Sequence, residues 1–207
     1  MLVWPAVVAG IDLDAPSGVN QLLVDAVRKV VARTRVPHSD LHFMSSRLDH
    51  LPLLIEHGDK TAVEWWLQAV KDMVRSVMRR GFMCEPACEL DIEANVLIAR
   101  DGDRVPAHRH AAHHFTVVYY PHVDKPGDDG RLNDGALSLI DDRGWRHRFA
   151  NRNPAFRDGA AFRIHPRTGL MTAFPGYVMH ETNAYRGPGE RVSIAACVDV
   201  RMEREYA

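Results

Sequence analysis

With 207 residues, 46% of them hydrophobic, the chain is long enough to bury a core without disulfides. A formal net charge of −1 excludes a general nucleic-acid binder. The apolar runs are too short to span a bilayer, and the first residues lack the basic-then-apolar pattern of a secretory signal, so a cytoplasmic protein is expected. Cys84, Cys88 and Cys197 are an odd, irregularly spaced set, which predicts reduced structural thiols.

Residues 1–16 read as extended or irregular, with Asp12, Asp14 and Pro16 as breakers. Ser17 can cap a first helix, whose apolar positions Leu22, Leu23, Ala26, Val27, Val30 and Val31 recur at helical spacing to about Arg33. Pro37 ends any helix, and residues 37–58 read as loop with short apolar pieces such as Leu51-Pro52-Leu53-Leu54-Ile55. A second helix is predicted from Lys60 to Arg80, with Val63, Trp66, Leu67, Val70, Met73, Val74 and Met78 on one face and Gly81 as its stop.

From Glu89 the pattern changes to strands. They are predicted at Leu90–Ala99, Pro106–His110, His114–Tyr120, Ala136–Ile140, Ala161–His165, Leu170–Phe174 and Val192–Val200, separated by Gly-, Pro- and Asp-rich turns. Helices followed by a run of short strands predict an α+β fold, mainly β, with the helices on one face of an antiparallel barrel or sandwich. The helices offer no second core, so residues 1–207 are read as one domain: 1–88 a helical support, 89–207 the β core.

Most of the 12 histidines fall between His108 and His180. His108 and His110 are two apart on an extended segment, so their rings share one side. His180, reached after Phe174-Pro175-Gly176, can close a metal site with them. Arg191 and Ser193 share one face of the last strand, a cation and a hydroxyl suited to an anion. His113 and His114 are expected behind the ligands or in a loop, and His122, His147 and His165 at the surface.

The span from Asn95 to Cys197 resembles the 2-oxoglutarate/Fe(II)-dependent oxygenases, in particular their small bacterial and phage members. The resemblance is carried by His108-Arg109-His110, Val117-Val118-Tyr119-Tyr120, Gly135-Ala136-Leu137-Ser138-Leu139-Ile140-Asp141-Asp142-Arg143, Phe174 to His180, and Arg191-Val192-Ser193-Ile194, in that order. It implies a double-stranded β-helix (a jelly roll, cupin-like) supported by two N-terminal helices. It also implies iron(II), 2-oxoglutarate as co-substrate, dioxygen, and hydroxylation of a C–H bond. The family motif is commonly H-x-D/E. Here position 110 is histidine, so either His108, His110 and His180 bind the metal, or a carboxylate such as Asp141 replaces His110; the shared strand face favours His110. Arg191 and Ser193 would grip the far carboxylate of 2-oxoglutarate, because a guanidinium fork suits it bidentately. Tyr120 resembles the second tyrosine of the Tyr-Tyr pair in prolyl-hydroxylase-like strands, and only one of Tyr119 and Tyr120 is expected to face the site.

Two rivals stand beside this reading. One is a cupin-type three-histidine dioxygenase without 2-oxoglutarate; Gly102 and the H-x-H segment fit its first motif, but His114 stands where its glutamate belongs. The other is a non-enzymatic metal- or ligand-binding β-barrel module. Arg191-x-Ser193 favours the oxygenase over both. The substrate is read as a small molecule or a side chain, with no nucleic-acid or membrane partner. Residues 142–157, rich in arginine and aromatics, read either as a lid or as a solvated loop. Oligomeric state, a homodimer included, stays open.

Overall fold

Helix α1 (Val19–Thr34) buries Val19, Leu23, Val24, Ala26, Val27 and Val30, a stripe set by the helical period. The structure, a computed structural model, describes residues 6–34, 49–82, 88–124, 135–140 and 161–202. A short helix α2 (Leu51–His57) occupies part of the stretch that the sequence marks as loop. Pro52 sits in its first turn, where its missing N–H costs nothing. The Asp49 carboxylate accepts from the backbone N–H of Leu51 and of Ala94, both at 2.9 Å, and so ties the helix start to the sheet. Helix α3 (Lys60–Phe82) is capped by Asp59, which accepts from the Ala62 N–H at 3.0 Å. It buries Ala62, Val63, Trp66, Val70, Val74 and Val77. No helix among the described residues is long and apolar enough to cross a membrane.

Among the described residues, nine strands follow or flank these helices: β1 (Ala9–Asp12), β2 (Cys88–Ala99), β3 (Val105–His108), β4 (Phe115–Val123), β5 (Leu137–Ile140), β6 (Ala161–Ile164), β7 (Leu170–Pro175), β8 (Met179–Thr182) and β9 (Arg191–Met202). They form a five-stranded sheet, β1-β7-β4-β9-β2, and a four-stranded sheet, β3-β8-β5-β6. All the pairings are antiparallel. From β2 to β5 the chain switches sheet at every strand, the winding of a jelly roll. Strands β1 and β8 are absent from the sequence prediction. Both are four residues long and, unlike Leu137-Ser138-Leu139-Ile140 of β5, carry no run of strand-forming residues: Ala9-Gly10-Ile11-Asp12 and Met179-His180-Glu181-Thr182. Strand β3 ends at His108 rather than His110, so the two histidines do not share one strand.

The larger sheet is buried on both faces. Phe115, Val117 and Tyr119 of β4, Met171 and Ala173 of β7, and Val192, Ile194, Ala196 and Val198 of β9 pack against the three helices in one core. The alternate positions Val118, Tyr120, Leu170 and Phe174 pack with Leu137 and Leu139 of the smaller sheet in a second core. Tyr119 therefore points to the helices, where its hydroxyl donates to Asn20 at 2.6 Å, and Tyr120 points between the sheets.

Trp66 is fully buried where α3 meets the sheet, and its indole N–H has no partner among the described residues. Trp66→Ala is expected to cost about 3–5 kcal/mol in urea unfolding. Trp66→Phe should cost less than half of that, since no hydrogen bond is lost.

Candidate active site

Strands β3 and β8 pair so that His108 lies opposite His180. His110 comes in just beyond the end of β3. The ligand-capable nitrogens of His108, His110 and His180 lie within 4.8 Å of one another, and this is the one such group of three among the described residues. Ring centroids are 4.2 Å apart for His108 and His180, 5.0 Å for His108 and His110, and 5.2 Å for His110 and His180. His108 Nδ1 is 2.8 Å from the Pro106 carbonyl and His180 Nδ1 is 2.9 Å from that of Val178. A carbonyl only accepts, so both Nδ1 atoms carry the proton and both Nε2 lone pairs are left for a metal. Burial, reinforced by His108, pushes His110 down to about 4 and His180 down to about 3, so both rings are neutral at neutral pH. Phe174 packs edge-on against His180 at 4.9 Å and braces the ring.

A second group of buried polar side chains, between the sheets, centres on Arg191 beside Tyr120. Arg191 is 1% exposed. One of its terminal nitrogens donates to the Gly135 carbonyl, while its Nε has no partner among the described residues. Burial lowers the pKa of its guanidinium, and the neighbouring Tyr120, Tyr185 and Asp103 oppose that shift. Gly135 has φ +60°, and a Cβ there would lie 3.1 Å from the Tyr185 ring and 3.2 Å from an Arg191 terminal nitrogen. Only glycine lets the chain turn this close to the guanidinium. Ser193 follows two residues along β9 on the inward face, and Tyr120 is 1% exposed beside them. Thr116 and Thr172, also facing inward from β4 and β7, are buried hydroxyls without partners among the described residues.

Residues 94–196 match the sequence family described as "Putative 2OG-Fe(II) oxygenase". This span, the β core of the chain, belongs to that family. Similar solved structures include a prolyl-4-hydroxylase from Pseudomonas putida, 17% identical over 94% of this chain and 92% of that one, with a TM-score of 0.58. A prolyl hydroxylase from Trichoplax adhaerens, in complex with a hypoxia inducible factor peptide fragment, is 13% identical over 93% and 83% of the two chains, with a TM-score of 0.54. HygX from Streptomyces hygroscopicus, with nickel and 2-oxoglutarate bound, is 12% identical over 93% and 81%, with a TM-score of 0.51. No curated protein sequence matches the chain. The oxygenase fold is thus the double-stranded β-helix that the motifs implied, and among the described residues the short helix α2 joins the two supporting helices expected.

The family uses iron(II), 2-oxoglutarate and dioxygen, and the residues of this oxygenase fit those groups. Three neutral imidazoles suit a first-row divalent ion. The unpartnered Arg191 Nε, with the Ser193 hydroxyl and Tyr120 phenol on the same inward side, suits a carboxylate. Asp141, the carboxylate weighed against His110, lies outside the described residues, as do residues 142–157, His147 and Cys84. Cys88 and Cys197 are free thiols, and Cys197 is buried with its pKa raised to about 12, first by burial and then by Glu93, Asp199 and Asp49.

Sequence reasoning missed the buried threonines, because threonine alternating in a strand looks like any strand. It also missed how His110 is held. The chain from His110 to His114 turns over Gly176: the His110 N–H donates to the Gly176 carbonyl at 2.9 Å and the Gly176 N–H donates to the His114 carbonyl at 3.0 Å. A Cβ on Gly176 would lie 2.2 Å from the His113 carbonyl oxygen and 2.6 Å from that of His110. Both are backbone atoms and cannot swing away. Gly176→Ala is therefore expected to displace His110 and reduce bound iron(II) well below one per chain, with circular dichroism retaining the β signal. Metal analysis after desalting checks it, and full occupancy would mean that the turn yields without moving His110.

Proposed function

We propose that this oxygenase holds iron(II) through His108, His110 and His180. Arg191, Ser193 and Tyr120 would hold the far carboxylate of 2-oxoglutarate, with hydroxylation at a C–H bond of a small molecule or a side chain. The observation that carries the reading is Arg191: a guanidinium buried between the sheets with an unpartnered Nε. An isolated buried cation is costly, so a place kept for one implies an anion that comes and goes. A three-histidine dioxygenase that binds its substrate at the metal alone has no use for it.

When bound, iron, 2-oxoglutarate and dioxygen supply an oxidative decarboxylation to succinate and carbon dioxide, coupled to oxidation of the substrate. The chain's own residues position and exclude. Pro106 and Val178 fix the His108 and His180 tautomers through their carbonyls, and Phe174 shields His180. Leu137, Leu139, Val118 and Leu170 close the space between the sheets to water. The helices share a core with the sheet that carries Arg191, which supports reading the chain as one oxygenase domain.

Iron analysis of the three alanine variants tests the metal set. His108→Ala and His180→Ala should each lose most of the iron. His110→Ala should do so as well, and full retention there would return the third ligand to a carboxylate.

The co-substrate is tested by titrating 2-oxoglutarate into anaerobic iron(II) protein and following the visible metal-to-ligand band. Arg191→Leu should raise the half-saturating concentration roughly thirty- to a hundredfold, the equivalent of about 2–3 kcal/mol for a buried charge-assisted contact. Arg191→Lys should recover only part, since an ammonium cannot fork. Ser193→Ala and Tyr120→Phe should each cost about 1 kcal/mol. An unchanged titration in a folded Arg191→Leu protein would remove the case for 2-oxoglutarate at this position. Release of succinate with iron, ascorbate and 2-oxoglutarate checks turnover, and a candidate substrate gaining one oxygen atom checks hydroxylation.

A further inference from the structure

Of the three histidines, His110 is the one without a strand to hold it. His108 ends β3 and His180 lies in β8, and each ring is anchored by a backbone carbonyl. His110 lies past the end of β3, at the start of a turn through Ala111 and Ala112 to His113 and His114. The far end of that turn meets Asp199 of β9. His113 Nδ1 donates to Asp199 Oδ2 at 3.0 Å, and His114 Nδ1 lies 3.0 Å from Asp199 Oδ1. The Val200 N–H also approaches His114 Nδ1, at 3.2 Å. One nitrogen of a neutral ring cannot both accept from Val200 and donate to Asp199, and the shorter, charge-assisted contact places the proton toward Asp199. The His113 N–H donates to the His110 carbonyl at 2.9 Å, which links the clamped end of the turn to the ligand.

We propose that Asp199 is a positioning residue for the metal site, gripping His113 and His114 with its two carboxylate oxygens and so fixing the turn that presents His110. The inference rests on His110 being a ligand. A surface ion pair would need only one partner. Here one carboxylate engages two adjacent imidazoles through separate oxygens, which requires one conformation of the turn. Burial works against the charge on Asp199, yet the bonds from His113 and His114 hold its carboxyl below the ordinary value, so the clamp is charged at neutral pH. The acceptor also stands on a strand that is paired on its other side, Asp199 with Asp91, so it does not move with the turn.

The test is a double-mutant cycle read by cobalt(II), whose visible d–d bands report coordination number. Metal-free full chain is titrated with cobalt(II) in four forms: unaltered, Asp199→Ala, His110→Ala, and both together. Asp199→Ala should weaken cobalt binding about tenfold, the low end for partners outside the ligand set. Its bands should move toward those of His110→Ala. In the His110→Ala background the same change should cost less than twofold, because the residue it acts through is gone. Asp199→Asn keeps the shape with one acceptor oxygen and should recover part of the affinity; it replaces Asp199→Ala in the cycle if the alanine variant does not fold. An equal loss in both backgrounds, or none in either, overturns the clamp. If His110→Ala leaves cobalt affinity and bands unchanged, the ligand reading fails and the clamp with it. If His110→Ala weakens binding while Asp199→Ala does not, the clamp alone fails.

Discussion

Strand β9 is hydrogen-bonded along both edges, to β2 from Cys88 opposite Met202 through Ala99 opposite Arg191, and to β4 from Phe115 opposite Val198 through Val123 opposite Arg191. That double pairing leaves no edge, and both faces of the strand are covered as well. The helices cover one face through Val192, Ile194, Ala196 and Val198. The other face must then carry its polar groups into an interior. Arg191 and Ser193 are tolerated there because the smaller sheet closes over them and Gly135 supplies a carbonyl. Asp199 lies on the same strand near its far end, beside the histidine turn. The proposed anion site and metal clamp are therefore held by one rigid element.

The two sheets divide the labour. The smaller one brings His108 and His180 into register through the β3–β8 pairing, and its β5–β8 pairing sets Leu139 opposite His180 on the other side. The larger one supplies the interior wall: Thr116, Thr172, Phe174, Tyr120 and Arg191. A bulge between Tyr119 and His122 breaks the β4–β9 register just beyond Tyr120. Bulges of this kind commonly re-aim a side chain beside a site. The inward hydroxyls and the guanidinium are buried polar groups, each of which costs stability wherever it lacks a hydrogen-bond partner.

The supporting helices matter to the site through the sheet between them. Trp66, Val27 and Val74 fill the outer face of the sheet whose inner face lines the site. The Asp49 carboxylate bridges the start of α2 and the backbone of β2, so helix and sheet are joined by hydrogen bonds as well as packing. Loss of this outer core would loosen β4 and β9, and with them Tyr120 and Arg191.

Much was legible in the sequence alone. Helical spacing in α1 and α3, alternation in β2 and β4, and the order of H-x-H, Phe-Pro-Gly, distal histidine and Arg-x-Ser determine the element types and the candidate site residues, because those signals are local and periodic. Only one of Tyr119 and Tyr120 is expected to face the site; the fold turns Tyr119 to the helices and Tyr120 inward. What only the tertiary structure decided is non-local. Strand β8 carries no run of strand-forming residues and exists because β3 and β5 pair with it on either side. Helix α2 starts at Leu51, just before Pro52, and that start is fixed because Asp49 accepts from both Leu51 and Ala94. Asp199 meets His113 and His114 only because β9 lies beside β4, across 85 residues of chain. No periodicity records such a contact; it follows from strand pairing, which the fold as a whole selects.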